Sequence, residues 1–559
     1  MNDKYGRARL VFAFALLAWL AAYAYWSLHS EVNWDEFSLL ARASDSLREG
    51  RLLGGGRPGL GTLVLMPLVR ECNDAVSAVR LARLSWAPFS IGIMVGLWLV
   101  LRRLFSGRDQ ADAHALMGVL LLVLTPNFLR FVVQVRTDQP AIAMGLLGGV
   151  ALVGTRRRIP MSALAGVLFG VGYLFSQKLV YVAALVSLLA AADLLLKEDF
   201  RWRRELGRAV AVICGFFAVL AVFRVTVSLL WQPPSVTNIG GQMDVFRYYR
   251  ETFGYLYYRR MLPGLLGPIA LLGVQLVLIP AALRRGAKDR LTGLLSISVL
   301  GLGMGVAVFH AGAFPYFWMT LGLFPAAALA VGLPLVLRLP KWTKRSVFGL
   351  FWTLFLPTAV MIGVFQARDG QATQRASMAF VRANIPPRLD GFHATRALFC
   401  HNGDDPLPTF FSQNIQHRFG GDGGEEAIDQ LIAEFRQRPI GFLINTWRLE
   451  EFPDRMRRFW ADHYVPYSGA VHVAGTSLDE TDPPRVEFEV IVPGEYAFHP
   501  SHSRSRIRIG AARLGKGDRI RLDPGVHTID RTGLTGSAVF SLSLPTPPGD
   551  ADDTFYRVF

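Results

Sequence analysis

Two acidic side chains stand together in the run Asn33-Trp34-Asp35-Glu36-Phe37. A carboxylate can take the proton from a hydroxyl that attacks an electrophile, so Asp35 and Glu36 are candidates for base catalysis. Asn33 and Glu36 also have the spacing of a capping box for a following helix, a role that Asp35 could share. A third acid, Asp138, occurs in Arg136-Thr137-Asp138-Gln139-Pro140. There Thr137 or Asp138 suits a helix cap with Pro140 in the first turn, and capping and chemistry are compatible. Lys178, in Ser176-Gln177-Lys178, is a point charge suited to a phosphate, or a side chain that snorkels to headgroups. Arg136 offers a second cation. Arg224 lies inside an apolar run with no acid near it in sequence. A buried arginine needs a partner, and phosphate is one; snorkelling towards the region of Trp231 is the other reading. Between 244 and 260, Arg247, Arg250, Arg259 and Arg260 alternate with Tyr248, Tyr249, Tyr255, Tyr257 and Tyr258. That mixture suits sugar stacking with phosphate binding, and equally an aromatic belt at a membrane surface. His310 and Tyr316 flank a short loop and complete the candidate substrate contacts. No metal-ligand spacing, phosphate-binding loop or nucleophile elbow is present, so neither a metal nor another cofactor is expected.

The elements that must position these groups are apolar. Of 559 residues, 52% are hydrophobic and 18% charged, below the roughly 25% charge of a soluble globular chain. The net charge of +16 alone would suggest nucleic acid, but residues 1–366 hold 37 basic and 18 acidic side chains, while 367–559 hold 22 and 25. The excess sits in the apolar part, as in a membrane protein, and no nucleic-acid partner is expected. Stretches near the 17–25 residues of a spanning helix predict eleven spans: 10–28, 85–101, 113–128, 139–154, 160–175, 179–196, 209–231, 263–283, 291–310, 316–337 and 346–366. Ala22-Tyr23-Ala24 is a weak cleavage pattern, but the apolar run before it is too long for a signal core, so the first span is read as uncleaved. Alternation puts six short segments on one side, and these carry 22 Lys/Arg, including Arg156-Arg157-Arg158. Basic loops stay cytoplasmic, so the N-terminus is expected inside and residues 367–559 outside.

Two of the outer loops, about 29–84 and 232–262, are long, which points to that face as the working one. In the first, Phe37, Leu40, Ser44 and Leu47 fall at helical spacing, predicting a helix along the interface. Leu60–Val69 is apolar but too short to span, and reads as a re-entrant or interfacial piece. Beyond 367 the pattern changes to an α/β segment over 367–465, with a helical face at Ala427, Ile428, Leu431, Ile432 and Phe435 and buried strands at Ala397–Cys400 and Gly441–Ile444. Alternation at Val486, Phe488 and Val490 and in later runs predicts a β-sandwich over 466–559, with a loose segment at Pro545–Asp553. Of the three cysteines, at most Cys72 and Cys400 could pair, and the sequence leaves this open.

The inventory is a carboxylate pair with several cations on one side of a membrane. Hydrolysis of an ordinary glycoside wants a second carboxyl to protonate a poor leaving group. A phosphate-activated sugar needs a base for the acceptor and cations for the departing charge. The acidic pair after the first span, the Arg136-Thr137-Asp138-Gln139-Pro140-Ala141 motif and the many-span body followed by an outer domain make the chain resemble the GT-C superfamily of polyprenyl-phosphate-sugar glycosyltransferases. The likeness covers about residues 10–366 and lies near the bacterial aminoarabinose transferases and protein O-mannosyltransferases. It implies Asp35 as the catalytic base, Asp138 as a second acid of the site and Lys178 as a phosphate contact. The family's His-Pro-Pro-Leu appears here as Arg57-Pro58-Gly59-Leu60, which makes Arg57 a further phosphate contact. The implied protein is an inverting enzyme of the bacterial inner membrane, acting on a lipid, glycan or protein acceptor at the periplasmic face. Two other classes remain: a flippase for a lipid-linked sugar, which should show inverted repeats, and a non-catalytic envelope assembly protein.

Overall fold

A computed structural model describes residues 3–52, 59–106, 111–154, 158–196, 200–231, 287–309, 317–336, 370–401 and 423–549, apart from 71, 73, 388 and 395, with scattered positions in 341–364, 415–420 and 554–555. The chain divides into two units. One comprises residues 1–29, 45–66 and 80–368; the other comprises 30–44, 67–79 and 369–559. The tail is thus joined in the second unit by two stretches of the first loop.

In chain order the helices are α1 (Asp3–His29), α2 (Trp34–Glu49), α3 (Leu60–Val69), α4 (Ala75–Leu104), α5 (Ala111–Val123), α6 (Pro126–Phe131), α7 (Asp138–Leu152), α8 (Ile159–Phe175), α9 (Leu179–Leu196), α10 (Trp202–Leu230), α11 (Ala287–Phe309) and α12 (Leu323–Val336). Four stretches among the described residues are long and apolar enough to cross a membrane: Ala75–Leu104, Leu179–Leu196, Trp202–Leu230 and Asp289–Ala307. Three shorter apolar helices, Ala111–Val123, Ile159–Phe175 and Met319–Leu335, overlap other expected spans. The expected span 263–283 lies outside the described residues, and most of 346–366 does also. The expected span 113–128 is broken. α5 stops at Val123 and α6 begins at Pro126, because proline cannot continue the hydrogen-bond ladder. Along α10, Val210, Ile213, Phe217, Val222, Val225 and Leu229 are exposed, an apolar surface of the kind that lipid buries.

Close helix packing in the first unit depends on small residues. A Cβ on Gly166 would sit 2.1 Å from the Val212 carbonyl oxygen, and one on Gly215 would sit 2.4 Å from that of Ala163. Glycine at both positions lets the backbones of α8 and α10 touch. α7 and α9 run towards one end of the unit and α8 returns from it. That end carries an Arg102–Asp112 ion pair at 2.7 Å, Arg208 donating to Ser162 Oγ at 3.1 Å and to the Leu152 carbonyl at 2.8 Å, and Asp193 accepting from the Gly154 N–H at 3.2 Å. Asp138 and the Ser176-Lys178 turn lie at the opposite ends of the same helices.

The second unit contains α13 (Ala372–Asn384), α14 (Gly424–Gln437) and α15 (Asp454–His463). Its strands are β1 (Asp390–Phe392), β2 (Ile440–Ile444), β3 (Tyr464–Ser468), β4 (Val471–Leu478), β5 (Arg485–Val490), β6 (Gly494–Pro500), β7 (Arg506–Ile509), β8 (Ala512–Leu514), β9 (Arg519–Leu522), β10 (Gly525–Gly533) and β11 (Ala538–Leu542). A seven-stranded sheet runs β1-β2-β4-β11-β6-β9 with β3 also on β4, and a four-stranded sheet runs β5-β10-β7-β8. Phe488 of the smaller sheet packs on Tyr496 and Phe540 of the larger, with ring centroids 5.9 and 6.0 Å away, which is the core of a sandwich. β2 pairs with β4, so the strands before and after residue 466 share one sheet. Ile428, Leu431, Ile432 and Phe435 form the buried face of α14, as their spacing predicts.

Two expectations for the tail are corrected. Ala397–Cys400 is a turn, not a strand. Arg396 takes φ +62°, outside the strand region, and the Ala397 N–H bonds His393 Nδ1 at 2.7 Å. The described part of the segment expected to be loose is tied down: Gly549 N–H bonds the Tyr467 carbonyl at 2.9 Å, and Tyr467 Oη bonds the Thr546 carbonyl at 2.8 Å. Cys72 and Cys400 form a disulfide that fastens the stretch after α3 to the tail portion of this unit.

Candidate functional site

In the first unit the chemistry gathers where α7 begins. Residues 132–137, between α6 and α7, are buried yet irregular. Backbone groups buried in apolar surroundings need partners. Side chains supply them. Gln139 Nε2 donates to the carbonyls of Phe131 and Val132 at 3.1 and 2.6 Å, Trp86 Nε1 to that of Arg136 at 3.0 Å, and Ser90 Oγ to that of Val132 at 3.3 Å. Gly61 on α3 closes over this stretch, since a Cβ there would lie 2.7 Å from Thr137 Cγ2.

Asp138 is therefore held at the first turn of α7, 5% exposed. Thr137 occupies the cap position without a side-chain capping bond. The Asp138 carboxylate instead accepts from Ser176 Oγ at 2.7 Å and from Lys178 Nζ at 2.8 Å. Ser176 ends α8 and Lys178 stands in the turn before α9, so the three-residue connection delivers both partners. Lys178 Nζ also lies 5.6 Å from the centre of the Phe317 ring. Arg136, 7% exposed, donates from Nε to Gln134 Oε1 at 2.8 Å and lies 5.5 Å over the Phe131 ring. The result is one buried carboxylate, a lysine and an arginine carried by adjacent short segments. Arg224, the other candidate cation described in this unit, is exposed on α10.

Asp35 and Glu36 belong to the second unit and begin α2. The capping box is formed: Asn33 Oδ1 accepts from the Asp35 N–H at 2.9 Å, and Glu36 Oε2 accepts from the Asn33 N–H at 3.0 Å. Glu36 is fully buried in this role, whereas Asp35 is half-buried. Phe37, beneath them, packs on Phe555 with centroids 5.8 Å apart. Arg448, 1% exposed, stacks 4.3 Å over Trp34. Sequence reasoning named the two carboxylates but missed Ser176, Gln134 and Trp86, which have no distinguishing spacing until the fold brings them beside Arg136 and Asp138. Arg57, Arg247, Tyr248, Arg250, Arg259, His310 and Tyr316 lie outside the described residues. Among the described residues, no three His, Cys, Asp or Glu side chains are grouped to hold a metal.

No family model matches the chain, and no curated protein matches it. Solved structures do. ArnT from Cupriavidus metallidurans bound to undecaprenyl phosphate is 12% identical, with a TM-score of 0.52 over 83% of this chain and 97% of that one. The same protein in the apo state is 13% identical, with a TM-score of 0.51 over 84% and 98%. The Archaeoglobus fulgidus oligosaccharyltransferase in the apo form is 10% identical, with a TM-score of 0.45 over 81% and 73%. At these identities the likeness is one of fold. The chain has the GT-C fold that its sequence resembles, a membrane helical body with a C-terminal sheet domain.

Proposed function

We propose that a chain with this fold, carrying a buried Asp138 paired with a partly exposed Lys178 and a half-buried Asp35, is a glycosyltransferase. It moves a sugar from a polyprenyl-phosphate donor to an acceptor hydroxyl, with inversion at the anomeric carbon. The observation that carries the reading is the Ser176–Asp138–Lys178 cluster at the start of α7, in a fold shared with a protein solved with undecaprenyl phosphate. Asp35 takes the acceptor proton as the acceptor oxygen bonds to the anomeric carbon. The bond from that carbon to the phosphate oxygen breaks, and polyprenyl phosphate leaves with the electron pair. Glu36 holds the start of α2 through the capping box, which keeps Asp35 on a fixed helical turn. Lys178, oriented by Asp138, and Arg136 balance the charge that grows on the departing phosphate. Arg57 and Arg224 are assigned to the same phosphate, and Arg247, Tyr248, Arg250, Arg259, His310 and Tyr316 to the sugar and acceptor. The acceptor is a lipid, glycan or protein.

The working face is assigned to the periplasmic side of a bacterial inner membrane, with the N-terminus cytoplasmic. Two observations support this. The Cys72–Cys400 disulfide suits an oxidising compartment. The arginines at the C-terminal end of α4, Arg102 and Arg103, and those at the start of α10 lie away from Asp138 along the helices, and such residues mark the cytoplasmic side.

Undecaprenyl phosphate provides the direct binding test. Added to the purified chain at 100 times its dissociation constant, it should stabilise the fold by about 2.7 kcal/mol. Lys178→Met should abolish that gain. Equal stabilisation of the wild type and Lys178→Met would remove Lys178 from the donor site. The absence of stabilisation in the wild type would count against a polyprenyl-phosphate donor.

A further inference from the structure

The carboxylate assigned as base is carried by a segment that packs as part of the tail's unit. Residues 30–44 group with 369–559, although more than 300 residues separate them in the chain. The joint is specific. Gln374, fully buried at the start of α13, forms two bonds with one residue: its Oε1 accepts from the Val32 N–H at 3.0 Å, and its Nε2 donates to the Val32 carbonyl at 2.9 Å. This is what a neighbouring strand would do for Val32, performed by a side-chain amide. Gln371, also fully buried, donates from Nε2 to the Ser30 carbonyl at 2.7 Å. Gly370 lets the two stretches approach, since a Cβ there would meet the Glu31 nitrogen at 2.9 Å. From Val32 the chain enters the Asn33 cap and reaches Asp35 three residues on.

We infer that Gln374, with Gln371, is a positioning device for Asp35: the tail clamps the backbone of residues 30–32 and so fixes the turn that presents the base. The inference rests on the assignment of Asp35 under the proposed function. A primary amide is needed because both a donor and an acceptor are used. Alanine removes both bonds, and glutamate keeps only the acceptor for the Val32 N–H while facing the Val32 carbonyl with a second oxygen. A misplacement of about 1 Å in a reacting group can cost on the order of a hundredfold in rate.

The test compares the full-length chain with Gln374→Ala, Gln374→Glu and a packing control, Met378→Ala, one turn along α13 and 6% exposed. Two readings are made on folded protein. Amide hydrogen exchange over residues 30–36 should speed up about tenfold or more in both Gln374 variants and remain at the wild-type rate in Met378→Ala. Sugar transfer by the Gln374 variants should show kcat lowered about 10- to 100-fold with KM within twofold, while Met378→Ala keeps the wild-type kcat. Unchanged exchange over 30–36 in Gln374→Ala, or a kcat equal to that of the control, overturns the clamp. If Asp35→Asn is as active as the wild type, the base assignment falls and the positioning role falls with it. The exchange result then still shows whether the clamp exists.

Discussion

Replacing Lys178 with methionine separates two roles that the Asp138–Lys178 pair combines. The Asp138 side chain is 7% exposed and that of Lys178 is 22% exposed, so the pair lies between the surface and the interior. Breaking a fully buried pair costs about 3–5 kcal/mol, because one charge is left uncompensated, whereas an exposed pair contributes about 0–1 kcal/mol. The exposure of Lys178 discounts the buried figure, and a loss of about 2 kcal/mol is expected for Lys178→Met. That is roughly a 30-fold change in the folded-to-unfolded ratio. Asp138→Asn should cost less, about 1 kcal/mol, since the lysine left behind can turn towards solvent. The double variant removes both charges and leaves an amide that Ser176 can still meet, so it should be no less stable than Asp138→Asn. The coupling energy of the cycle is then about 2 kcal/mol. Stability is read from denaturation in one detergent, and transfer from initial rates over a range of donor concentrations. Stability should recover to the level of Asp138→Asn in the double variant, whereas its donor KM should stay as high as that of Lys178→Met. Additive stability losses would refute the energetic reasoning. A double variant with a wild-type donor KM would refute the phosphate role of Lys178.

Three further outcomes follow from the second unit. Glu36→Gln should retain activity, because an amide oxygen can still cap the Asn33 N–H, whereas Glu36→Ala should lose about 1 kcal/mol of stability in denaturation. Cys72→Ser should destabilise this unit by about 2–5 kcal/mol, seen as faster proteolysis of the tail, because the lost crosslink spans 328 residues. His393, 1% exposed and close to Arg396, is held well below the ordinary histidine value of 6.5, first by burial and then by the arginine charge. Its neutral form is favoured on folding, so the stability it contributes is present above pH 6.5 and is lost as the pH falls below that value, by at most about 1.4 kcal/mol per pH unit. Melting curves between pH 7.5 and 5 should fall less steeply for His393→Gln.

Local rules made part of this architecture legible before any coordinates. The apolar run 60–69, read only as a piece too short to span, keeps those bounds as a helix, and the buried faces of α2 and α14 follow from spacing alone. The Asn33–Glu36 capping box was readable because both partners lie within one turn. Asp138 and Lys178 were each visible as chemistry-bearing residues, but not as a pair, since 40 positions and a whole helix separate them. The role of Gln374 left no signal at all: an amide 342 residues from Val32 becomes informative only when the chain is folded. The turn at 397–400 defeated a period-based reading because its apolar residues are buried through a left-handed residue, Arg396, and a histidine acceptor, and not by alternation.

Transfer by Asp35 is tested most directly in proteoliposomes loaded with a radiolabelled undecaprenyl-phosphate sugar and an acceptor fraction from bacterial envelopes. The wild-type chain should move the label to the acceptor and release undecaprenyl phosphate in equal amount. Asp35→Asn, folded and still binding undecaprenyl phosphate, should lose about 10²- to 10⁴-fold of that rate, the usual contribution of a general base. Transfer by Asp35→Asn at the wild-type rate, or label that crosses the bilayer with no product formed, would contradict it.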